Sequence, residues 1–93
     1  MILDILGLKV RVKYKDLNAE NLCGKYVYDE KTIYINSTLP KEMQKVTLIH
    51  EFLHAAFDRA GLSQAKISHD AQEIICDQFA KALTENFKVT KKG

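Results

Sequence analysis

Residues 46–57, Val46-Thr47-Leu48-Ile49-His50-Glu51-Phe52-Leu53-His54-Ala55-Ala56-Phe57, decide how the rest of the chain is read. Apolar residues at Val46, Ile49, Leu53, Ala56 and Ala60 step by 3, 4, 3 and 4. That spacing predicts an amphipathic helix with one core-facing stripe. Pro40 suits its first turn, because its missing N–H would have had no partner there, and Ser37 and Thr38 just upstream are residues that cap helices. Gly61 stands where a left-handed C-terminal cap is wanted, so the helix runs from near Pro40 to near Ala60.

Upstream of this helix the period is two. Leu8 to Tyr14 alternates apolar and basic residues, the pattern of a strand with one buried face. Gly24 opens Lys25-Tyr26-Val27-Tyr28, Asp29 to Lys31 reads as a turn, and Thr32-Ile33-Tyr34-Ile35-Asn36 is rich in β-branched and aromatic residues. These two segments predict a hairpin. Downstream, Ser68 can cap a second helix in which Ala71, Ile74, Ile75, Phe79, Ala82 and Leu83 repeat the helical spacing as far as about Phe87. The expected fold is α+β, a small antiparallel three-stranded sheet followed by two long helices. Phe52, Phe57, Phe79 and Phe87 read as core, Cys76 as a small buried hydrophobe, and Tyr26, Tyr28 and Tyr34 as packing residues on the hairpin.

A chain of 93 residues has room for one domain spanning 1–93, and its 46% apolar and 28% charged residues are those of an ordinary globular protein. Fourteen Lys plus Arg against twelve Asp plus Glu leave only +2, too little for the electrostatic footprint of phosphate-backbone binding, so no nucleic acid is expected. Lys88, Lys91 and Lys92 form a basic tail that reads as solvated. No apolar run approaches the length of a membrane span, and Met1 to Leu8 is too short for a signal sequence. Cys23 and Cys76 without an export signal favour reduced thiols and the cytoplasm.

His50-Glu51-Phe52-Leu53-His54 is an H-E-x-x-H. Two histidines four apart project from one helical face, so both imidazoles can reach one tetrahedral ion, and Glu51 lies beside them, able to touch a water on that ion. Zinc is the expected cofactor. A catalytic zinc needs a third protein ligand and an open position, and the second helix offers Glu73, with Asp77 one turn further on the same face. Glu73 is then the ligand, and Asp77 an acceptor for the outward N–H of a ligating imidazole. Asp77 could instead pair with Lys81, and His69 competes with Glu73 as the third ligand.

Thr47 to Ala55, preceded by Ile33-Tyr34-Ile35-Asn36 and followed by Glu73 and Phe79-Ala80, is similar to the small ImmA/IrrE-like metallopeptidases of phages and mobile elements. His50 to His54 with Glu73 and Asp77 also resembles the gluzincin arrangement, H-E-x-x-H completed by E-x-x-x-D. The resemblance covers roughly Leu6 to Phe87. It implies a minimal zincin-like fold and hydrolysis of a peptide bond with Glu51 as general base. The substrate would be a protein or peptide, a co-encoded regulator among the candidates. Larger members of the family carry further helices, and many have Ala where this chain has Cys76. His69 is spaced somewhat like the third histidine of SprT-type proteases, although Asp70-Ala71-Gln72 does not fit their motif. A zinc-binding module without turnover is the second functional class compatible with these residues.

Overall fold

The computed structural model describes residues 1–62 and 66–88. Lys91 and Lys92 of the basic tail lie outside them. The elements in chain order are β1 (Ile2–Ile5), β2 (Leu8–Lys15), a short 3-10 turn (Asn18–Glu20), β3 (Gly24–Val27), β4 (Thr32–Asn36), α1 (Lys41–Arg59) and α2 (His69–Asn86). The class is α+β, as expected from the change of period.

The sheet differs from the three-stranded antiparallel arrangement expected from sequence: it has four strands in the order β1-β2-β4-β3 and is mixed. Two causes account for this. The first residues form β1, joined to β2 by a two-residue turn in which Leu6 and Gly7 both take positive φ, 49° and 84°. Leu-Gly carries none of the Asn-Gly or Asp-Gly signature of such turns, so the hairpin has no local signal. The second cause is non-local: β4 inserts beside β2 in parallel, Val12 opposite Ile33 and Tyr14 opposite Ile35, and displaces β3 to the edge.

Alternation along the strands puts Ile5, Val10, Val12, Ile33 and Ile35 on one face, where α1 covers them with Leu48 and Ala55. Each fully buried Val or Ile contributes about 1.5–3 kcal/mol by leaving water. The covering face of α1 is rotated from the predicted stripe. Thr47, Leu48 and Ala55 are buried, whereas Val46, Ile49, Leu53 and Ala56 are half-buried and Ala60 is exposed. α1 is packed by the sheet and by α2, so apolar residues surround it and periodicity alone cannot say which row faces the sheet.

α2 also departs from expectation. Gln72, Cys76 and Ala80 are its buried row, and the predicted core residues Ile74 and Phe79 are 65% and 57% exposed, with Phe87 at 66%. The physical reason is that α2 packs on α1 and makes no comparable contact with the sheet, so one narrow row of small residues suffices.

The caps are mostly those read from sequence. Ser68 accepts a hydrogen bond from the Ala71 N–H, and Gly61, at φ 80°, closes α1 with its own N–H on the Asp58 carbonyl and that of Leu62 on Phe57. At the start of α1 the cap position is held by Pro40 with no side-chain bond, and Thr38 instead bonds Asn36 and Asn18. Two buried amides do the fastening. Asn36 donates to Asn18 and to the Leu22 carbonyl, tying the loop before β3 to the end of β4, and Gln44 donates to the carbonyls of Ser37 and Leu39. The edge strand and the helix are thereby fixed relative to each other.

Candidate functional site

Gly24 sets the distance between β3 and α1. A Cβ at that position would stand 2.6 Å from Thr47 Cγ2 and 2.9 Å from the Tyr34 carbonyl, with Glu51 Cγ at 3.4 Å. Only glycine permits this approach, which brings the edge strand against the Glu51 turn of α1. Asn36 N–H bonds the Cys23 carbonyl, so the alternation of an antiparallel ladder leaves the peptide groups of Gly24 and Tyr26 pointing away from β4. The Tyr26 N–H donates to the Glu51 carboxylate.

His50 and His54, one turn apart on α1, present their Nε2 atoms 3.2 Å from each other. From α2, Glu73 places Oε1 2.7 Å from His54 Nε2 and Oε2 3.6 Å from His50 Nε2. One ligand atom from each of the three lies within 4.8 Å of the others, the only such group of His, Cys, Asp or Glu among the described residues. Ligand–ligand edges of a tetrahedral zinc site with bonds of about 2.1 Å are roughly 3.4 Å. The observed 2.7–3.6 Å spans that value, and two imidazoles plus one carboxylate form a donor set that suits zinc.

Burial, reinforced by the nearby charge of Glu73, pushes the Glu51 carboxyl up to about 7, and the Tyr26 N–H pulls weakly the other way. Burial also holds His54 below the usual imidazole range, against the attraction of Glu73. Both shifts favour neutral imidazole and a carboxyl able to exchange a proton near neutrality.

The remaining sequence candidates sit around this centre. His69 lies in the cleft with Glu51 and His54, outside the three-residue group. Asp77 accepts from Lys81 Nζ at 3.1 Å, and both line the cleft on the other side of Glu51. Cys76 is fully buried behind the site, and burial raises its thiol to about 11, whereas Cys23 is exposed. Sequence reading passed over Asp58, which lies one turn beyond His54 on the same face and lines the cleft with Tyr26. Its spacing, seven residues after Glu51, was the available signal.

The profile of the IrrE N-terminal-like domain, peptidase family M78, matches residues 7–91. The chain belongs to this family. The match takes in every element of this M78 domain except the β1 strand, and so includes the strand edge, both helices and the three converging side chains. No curated protein and no solved structure matches the chain.

Proposed function

We propose that this M78 domain is a zinc-dependent metallopeptidase that hydrolyses peptide bonds, with His50, His54 and Glu73 as metal ligands and Glu51 as general base. One observation carries the reading: two imidazoles and a carboxylate from separate helices converge within 4.8 Å beside a carboxyl of pKa about 7. A bound zinc ion supplies Lewis acidity to a water and to the scissile carbonyl. Glu51, held by the Tyr26 N–H beside the two histidines, would take the proton of the attacking water and return it to the leaving amine. The outward peptide group of Gly24 and the outward carbonyl of Tyr26, whose N–H is taken by Glu51, can pair with an extended substrate as an added strand, which places its backbone along the Glu51 turn. The strand edge favours an extended protein or peptide as the substrate class.

A zinc-binding module without turnover is the second reading. It is favoured by one feature, the attachment of α2 chiefly to α1, since an ion held by both helices would fasten them.

Protein purified without added metal should contain about one zinc per chain. Glu51→Gln should keep that zinc and lose cleavage of a peptide library. Glu73→Ala should lose the metal, and His69→Ala should keep it; the reverse pattern makes His69 the ligand. Zinc-loaded wild type that cleaves nothing in the library leaves the module reading standing. Absence of metal, with no change in Tm on adding zinc, removes both.

A further inference from the structure

Two clefts flank Glu51 and differ in character. The larger, about 450 Å³, has Met43 and Val46 in its wall, and its charges, Asp77 and Lys81, neutralise each other. The smaller, about 250 Å³, is walled by Tyr26 and Tyr28 and lined by Glu51, His54, Asp58, His69 and Gln72, with no Lys or Arg among its lining residues. In this second cleft two polar groups are left unmatched. The Tyr26 hydroxyl is the buried side-chain polar atom that finds no hydrogen-bond partner among the described residues. Asp58 enters none of the ion pairs of the described residues, and it sits in the last turn of α1, where the helix dipole disfavours negative charge. A buried hydroxyl without a partner and a carboxylate at the wrong helix end both oppose folding. A cation seated in the cleft that donates to the carboxylate relieves the second of these costs. The rim already draws such a group, because Lys31 Nζ stands 3.4 Å over the Tyr28 ring.

We infer that the cleft between Tyr26 and Asp58 is a subsite for a lysine or arginine side chain of the peptide substrate, on one side of the scissile bond, with Asp58 as the residue that sets this specificity. The inference rests on the peptidase reading for the word substrate, but the binding it asserts is measurable without turnover. In zinc-loaded Glu51→Gln protein, Asp58 is the one permanent carboxylate of that cleft. Labelled peptides that differ only by Lys against norleucine, with the position scanned along an otherwise constant sequence, are titrated by fluorescence anisotropy. At one position the Lys peptide should bind roughly 10- to 100-fold more tightly, as expected for charge-assisted hydrogen bonds in a half-buried site. Adding Asp58→Asn should abolish the preference while leaving the norleucine peptide's affinity unchanged. The comparison of the two peptides on one protein stands even where a double variant fails to fold. Equal affinity of Lys and norleucine peptides at every position overturns the subsite, as does a preference that survives Asp58→Asn. The two readings fail separately. Lys preference in binding without cleavage by wild type sinks the peptidase and keeps the subsite; cleavage with no Lys preference does the opposite.

Discussion

Glu51 is a carboxyl that the fold prefers to keep protonated. Its folded pKa of about 7 lies above the roughly 4.3 of an unfolded glutamate. The chain therefore binds an extra proton when folded between those values, and stability is fully present below the lower one and is lost as pH rises through the upper. In metal-free protein this group should cost on the order of 1–3 kcal/mol between pH 4.5 and 8. His54, shifted down, works in the opposite sense below its ordinary range, so the Glu51 share is read by difference. Urea unfolding at pH 5 and pH 8 should show a smaller loss in Glu51→Gln than in wild type, and identical losses would refute the assignment. Gly24 carries a second residue-scale prediction. Gly24→Ala must push β3 off Thr47 and Glu51 and should destabilise by about 1–3 kcal/mol, read by thermal or urea unfolding. The grouping of His50, Glu51 and His54 was legible because residues on one helix meet by period alone, whereas the approach of Glu73 depends on how α2 packs on α1. The close approach at Gly24 was not legible, since it depends on which strand reaches α1.

At the scale of elements, Ser68→Ala should remove the bond to the Ala71 N–H and lower stability by about 1 kcal/mol. The Ser68 and Gly61 caps could be read in advance because capping chemistry is local. Phe79 shows the limit of that approach. Helical spacing placed it in the core, yet it is 57% exposed, so Phe79→Gln should change unfolding free energy by no more than about 0.5 kcal/mol. A loss of several kcal/mol would restore the core assignment. The difference arises because a helix packed mainly on one partner needs only the Gln72, Cys76 and Ala80 row, and composition does not reveal how many partners a helix has. The β1 strand escaped notice for a different reason, a hairpin turn whose residues carry no turn signature.

For the whole molecule, the pairing of β2 with β4 joins residues about twenty apart in the chain, and no local pattern encodes it. Its consequence for the site is large, because it moves β3 to the edge and turns the peptide groups of Gly24 and Tyr26 outward, the Tyr26 N–H onto Glu51. The hydrophobic core is shared by the sheet and α1, while α2 rests chiefly on α1, fastened at its start by Gln72, which donates to the carbonyls of Leu62 and Ile67. Such a helix is a candidate for opening as a unit while the remainder stays folded. If Glu73 on α2 and the two histidines on α1 hold one ion, release of the ion and undocking of the helix become a single thermodynamic event. Amide hydrogen exchange would then read zinc occupancy. Protection of residues 73–84 should rise with added zinc as RT ln(1 + [Zn]/Kd), while amides of β2 and β4 keep their rates, and Glu73→Ala should break that dependence. Uniform slowing across sheet and helices would mean that α2 unfolds only with the whole chain.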